Sequence, residues 1–182
     1  MNNNALSFTA LSNEYCVAVA NSPSSGTKEF IDNMLRLLPR IYISATDLKP
    51  DGLSLTDDSD SWIDQVLSEE EYNHVRSDIS VLLGENDVYL EVFEEDMKYS
   101  DTPVAASISE NLADIYQVLF DFLNTVRFAT DEVTDIAIVA VRNSFKEYWS
   151  QTLCNVLRAL NHISVKGLIT EDDEFPDNSG MD

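Results

Sequence analysis

The stretch that decides the fold is residues 130–167, TDEVTDIAIVAVRNSFKEYWSQTLCNVLRALNHISVKG. Its apolar positions Ile138, Val141, Phe145, Trp149, Leu153, Val156, Leu160 and Ile163 recur at steps of three and four, which places them on one face of an α-helix. Thr130 can cap that helix, Asp131 and Glu132 suit its positive end, and Lys166-Gly167 supplies the stop. At about 1.5 Å per residue the element is roughly 50 Å long, enough to span a small domain.

Upstream of that segment, Ser107 and Glu110 have capping-box spacing and open a helix with Ile108, Leu112, Ile115, Leu119, Phe122 and Val126 on one face. Tyr116, Val118, Phe120 and Leu123 make its other faces apolar too, as in a helix at the middle of a bundle. A second box, Ser68 with Glu71, starts a helix that turns Tyr72, Val75, Ile79, Leu82 and Leu83 inward and stops at Gly84. Phe8, Leu11, Tyr15 and Val19 mark a helix over residues 6–20. Phe30, Met34, Leu37, Ile41, Ala45 and Leu48 mark another, for which Thr27 is the expected cap. Pro39 lies inside that second pattern and predicts a kink or two shorter helices. Residues 50–67 read as a polar loop with Trp62 as its large anchor.

Residues 86–97 are read as helix on Tyr89, Phe93 and Met97 at steps of four, although their aromatic and β-branched content suits a strand and no partner strand is evident. The predicted fold is all-α: an antiparallel bundle of five or six helices over residues 1–169, followed by a disordered acidic tail over 170–182.

The 182 residues carry 33 Asp and Glu against 11 Lys and Arg, a net charge of −22, with 44 % apolar residues. That supports one domain with a sizeable core and excludes collagen-like or low-complexity character. It also argues against direct binding of nucleic acid or an anionic membrane, both of which need cations to neutralise phosphate. The charge is localised: residues 51–101 hold 16 acids and 2 bases, residues 171–182 hold 6 acids and no base, and the other 119 are nearly neutral with 11 acids and 9 bases. Two cysteines, Cys16 and Cys154, form no disulfide framework, and neither a signal peptide nor a spanning helix is evident. The expected compartment is the cytoplasm.

Catalytic machinery is sparse, and no catalytic or cofactor-binding residue set is assigned. His74 and His162 stand alone, and there is no phosphate loop, zinc cluster or nucleophile elbow. Phe145, Tyr148, Trp149 and Tyr116 read as core before they read as a ligand pocket, and Arg142 and Arg158 as surface partners of carboxylates before they read as an anion clamp. Paired carboxylates remain: Glu91 with Glu94, and Glu110 with Asp114, each pair on one helical face, could together hold a Mg²⁺ ion. This local pattern resembles the all-α nucleoside triphosphate pyrophosphohydrolases, which use Glu-x-x-Glu on one helix and Glu-x-x-Asp on the next. The chain departs from it at Asn111, where that family's second-helix glutamate would fall.

Four longer phrases, residues 85–93 (ENDVYLEVF), 96–103 (DMKYSDTP), 108–117 (ISENLADIYQ) and 148–160 (YWSQTLCNVLRAL), together resemble one family end to end. It is a set of small bacterial proteins, mostly from gut Bacteroidales, grouped as a domain of unknown function. The resemblance implies an all-helical fold and a cytosolic bacterial origin, and it brings no catalytic residues. The functional expectation is a non-enzymatic acidic helical interaction or adaptor protein that needs no cofactor and meets a basic protein, with oligomeric state open. The alternative is a divergent Mg²⁺-dependent pyrophosphohydrolase using Glu91, Glu94, Glu110 and Asp114.

Overall fold

A computed structural model describes residues 2–49, 62–90 and 104–167. Its helices are α1 (Asn3–Ala20), α2 (Thr27–Thr46), α3 (Glu69–Leu83), α4 (Ile108–Val126), α5 (Asp131–Ser144) and α6 (Ser150–Lys166). A π-helical turn, Phe145–Trp149, joins α5 to α6, so residues 131–166 form one continuous rod. Thr130 caps it and Gly167 ends it in the left-handed conformation, as the sequence predicts.

The π turn has a cause in the sequence. From Val141 through Phe145 and Trp149 to Leu153 the stripe takes three consecutive steps of four, and each such step overshoots a full α-helical turn by about 40°. Bonding from the Ser150 N–H to the Phe145 carbonyl, five residues back, winds the chain less per residue and absorbs part of that drift. All eight stripe residues end up buried.

α4 packs against α1, α3, α5 and α6, and α2 packs against α1 and α6. The central place predicted for α4 is thus the observed one. Hydrogen bonds between helix ends fix the antiparallel order. Asn2 Nδ2 donates to the Lys49 carbonyl at 2.9 Å and Asn4 Nδ2 to the Asp47 carbonyl at 3.0 Å, joining the start of α1 to the end of α2. Thr27 Oγ1 donates to the Leu82 carbonyl at 3.1 Å, joining the start of α2 to the end of α3. Thr27 is therefore a cross-tie, and the N-cap position of α2 is held by Gly26. Pro39 neither divides α2 nor ends it: the helix continues unbroken to Thr46, its buried face supplying the compensation that propensity lacks. α1 begins three residues before the expected Leu6, because Asn2 Oδ1 accepts the Ala5 N–H at 2.9 Å. The Ser68–Glu71 box closes reciprocally, and Gly84 follows α3 at φ +54°.

The helix expected over residues 86–97 is overturned at its start. Val88–Leu90 form a strand, β1, rather than part of a helix, and pair antiparallel with β2, Ala105–Ser107, in the register Val88↔Ser107, Tyr89↔Ala106, Leu90↔Ala105. The partner was hidden because Ala-Ala-Ser carries no β-branched or aromatic signature. What fixes the ribbon lies beside it. The buried carboxylate of Asp87 accepts the Ser109 N–H at 2.7 Å, the Ser109 hydroxyl at 2.8 Å and the Ser107 hydroxyl at 3.0 Å. Ser107 Oγ caps α4 at the Glu110 N–H, 3.3 Å away, but the carboxylate that completes this cap is Asp87 rather than Glu110. Residues 91–97 of the segment read as helix, and the acidic tail 170–182, lie outside the described residues. Among the described residues no helix is long and apolar enough to cross a membrane.

Candidate functional site

Residues 62–67 run as an irregular strap along α4. Asp121, a buried acid on that helix, receives the backbone N–H groups of Val66 at 2.9 Å and Leu67 at 2.8 Å on one carboxylate oxygen. Thr125 Oγ1 accepts the Asp64 N–H at 3.1 Å. The buried anchor of the strap is Leu67, whereas Trp62, expected to serve that purpose, leaves 44 % of its surface exposed. Its indole instead forms one wall of a groove of about 620 Å³ between the strap, α4 and the rod. From α4 come Gln117, Val118 and Asp121, and from the rod Asn143, Ser144, Glu147 and Tyr148. The volume falls within the roughly 300–1,000 Å³ of small-ligand sites. π turns often accompany such sites, and here Glu147 and Tyr148 belong to one.

Next to the groove, Asp114 on α4 joins three elements. Tyr72 of α3 donates its hydroxyl to Asp114 Oδ1 at 2.7 Å, and Tyr148 of the π turn donates to Oδ2 at 2.8 Å. Burial, then the hydrogen bond and negative charge of Asp114, pushes Tyr148 up to about 12 and raises Tyr72 further. Tyr15, fully buried with its hydroxyl on the Leu112 carbonyl at 2.8 Å, is raised chiefly by burial. A phenol whose folded value lies above its unfolded value near 10 stabilises the fold fully below pH 10 and loses that contribution as pH rises through the folded value. In an alkaline titration we therefore expect phenolate absorbance to lag behind that of the urea-unfolded chain, and stability to fall from pH 10 towards 12 and above. Asp114→Asn should bring part of the delayed absorbance forward. Native and unfolded curves that coincide would contradict the tyrosine–Asp114 contacts.

The residues of the metal expectation are placed as follows. Glu110 and Asp114 lie one helical turn apart on α4, Glu110 exposed and Asp114 part-buried beneath its two tyrosines. Glu91 and Glu94 lie outside the described residues. Among the described residues no three His, Cys, Asp or Glu side chains gather as a metal-holding group. Asn111, at the departure from the pyrophosphohydrolase pattern, donates through Nδ2 to the Tyr89 hydroxyl, linking α4 to β1. His74 is exposed and 3.5 Å from Asp78, and His162 is exposed. Phe145, Trp149 and Tyr116 are core, and of the four aromatics named from the sequence Tyr148 is the one at the groove. Arg158 donates to the Leu90 carbonyl at 2.9 Å, so its described partner is backbone rather than carboxylate. Cys16 is buried, which pushes its thiol up to about 12, and Cys154 is exposed; both are free. Gln65, Gln117, Asn143 and Glu147 escaped the sequence reading because they belong to three separate segments, and the run of four-residue steps around the π turn was the one signal that marked the place.

Comparison with curated proteins finds no match. Among solved structures the chain is similar to protein BF1032 from Bacteroides fragilis, at 25 % identity and a TM-score of 0.74, over 99 % of this chain and 98 % of that one. The family model described as a domain of unknown function (DUF5063) matches residues 1–166. With residues 1–166 of 182 matched by the family model, this protein belongs to the DUF5063 family.

Proposed function

We propose that this is a non-enzymatic interaction module whose acidic surface meets a basic partner protein. The observation that supports the reading is how the described carboxylates are employed. Asp87 caps α4, Asp121 holds the strap, Glu71 closes the α3 cap and Asp114 binds two tyrosine hydroxyls, so the acids with defined geometry serve the fold. Glu69, Glu70 and Glu85 stay exposed on or next to α3, and residues 62–90 hold seven acids against Arg76, a net −6. Such a surface attracts cationic partners and speeds their encounter, an effect that salt weakens.

The test is an affinity capture with wild type and with Glu69, Glu70 and Glu85 all changed to Gln. Basic proteins held by wild type at low ionic strength should be released at high salt and held less by the variant. Equal retention by both would reject the reading. One observation favours the metal-dependent hydrolase as a second reading: the charge of Glu110, like that of Asp114, raises Tyr72 and Tyr148, so both acids act on the same side of α4. A Mg²⁺ site would raise thermal stability in millimolar Mg²⁺ by mass-action linkage. The interaction reading expects no shift.

A further inference from the structure

We infer that the groove beside the π turn is where the basic partner docks, accepting an extended peptide segment with a Lys or Arg side chain seated between Glu147 and the indole of Trp62. This rests on the proposed function and adds to it: Glu69, Glu70 and Glu85 attract the partner, and the groove, which they do not line, seats one of its cationic side chains. The exposed carboxylate of Glu147 lines the groove, Asp121 lies buried in its wall with its carboxylate engaged by the strap, and none of the described lining residues is Lys, Arg or His. Its field therefore favours a cation. Trp62 lines the groove with 44 % of its surface exposed, and an ammonium or guanidinium set against its ring gains cation–π attraction. Three side-chain amides, Gln65, Gln117 and Asn143, each offer both a donor and an acceptor, the complement of a peptide backbone rather than of a bare amine. At about 620 Å³ the groove is also far larger than one ammonium group needs, and the −22 charge of the chain attracts polycations in general. Three hydrogen bonds to Asp121 and Thr125 hold Asp64, Val66 and Leu67 of the strap against α4, which limits the ordering that binding must supply at that wall.

The probe is a blocked Lys-Arg-Lys-Arg peptide, titrated into the full chain at low ionic strength. Trp149 is fully buried, so a fluorescence change on binding reports Trp62, and Trp62→Phe should abolish the signal while calorimetry still detects binding. Glu147→Gln and Trp62→Ala should each weaken binding about fivefold. Glu29→Gln, the same charge change on α2 away from the groove, should leave the affinity unaltered. If the peptide binds but Glu147→Gln behaves like Glu29→Gln and Trp62 gives no signal, the groove assignment fails while the basic-partner reading stands. If the peptide does not bind wild type, that reading fails and takes the groove with it. Binding of free spermidine at Trp62 with the peptide excluded would overturn the assignment to a peptide.

Discussion

Replacing Trp149 by alanine is expected to lower the unfolding free energy by about 4 kcal/mol, the range found when a buried aromatic is truncated to leave a cavity. Trp149 is completely buried at the end of the π turn, and its ring meets Phe145 edge-on with centroids 4.4 Å apart. Phe145 in turn meets Tyr42 of α2 edge-on at 5.2 Å, so the truncation removes the end of an aromatic stack that joins the rod to α2. A second effect opposes the loss. The indole Nε1 of Trp149 is buried and has no hydrogen-bond partner among the described residues, and an orphaned donor costs about 1–3 kcal/mol. Trp149→Phe discards that donor while keeping most of the apolar volume, and should therefore fall within about 1 kcal/mol of wild type. Urea unfolding followed by circular dichroism separates the two variants. A cost for Trp149→Ala below about 1.5 kcal/mol would mean that the π turn collapses into the cavity and that Trp149 does not hold it open.

The contrast between Trp149 and the β ribbon shows which parts of this fold local sequence can express. The rod announces itself because a cap, a stripe and a terminal glycine all lie within one continuous segment, and α3 does so because Ser68, Glu71 and Gly84 are each tied to neighbours a few residues away. The ribbon is invisible because its two halves are separated in sequence and the second, Ala105–Ser107, has no composition of its own. Asp87 and Asp121 are the deeper case. Both belong to the acid-rich chain that suggests a solvated surface, yet both are buried and accept backbone N–H groups, and nothing in their local sequence distinguishes them from exposed Glu69 or Glu70. The groove inherits the same difficulty: Trp62 and Tyr148 stood out as aromatics, but their convergence with Gln117 and Glu147 depends on Asp121 pinning the strap to α4. Charge counting located an acidic region; only tertiary hydrogen bonding sorts its carboxylates into those that build the protein and those left to meet something else.

Asp87→Ala tests that sorting and is expected to cost about 3 kcal/mol, an effect no exposed acid could produce. Its carboxylate takes three hydrogen bonds at once, from the Ser109 N–H and from the hydroxyls of Ser107 and Ser109, in a site only 7 % exposed. Hydrogen bonds to a charged acceptor contribute about 1.5–3 kcal/mol, and loss of a helix N-cap alone typically costs about 1 kcal/mol. The two serine hydroxyls lie 2.7 Å apart and can satisfy each other, which limits the penalty, but the Ser109 N–H, in the first turn of α4, has no other described partner. Because Asp87 also stands immediately before β1, and Ser107 ends β2, the variant should loosen the ribbon first. Hydrogen exchange at Val88–Leu90 and over the first turn of α4 should accelerate well before that of α1 or α6. Asp87→Asn keeps one acceptor for the Ser109 N–H and lets the serine hydroxyls reorient towards its amide, so it should recover about half of the loss. A uniform acceleration throughout the bundle, or a cost under about 1 kcal/mol, would place Asp87 among the merely solvating acids.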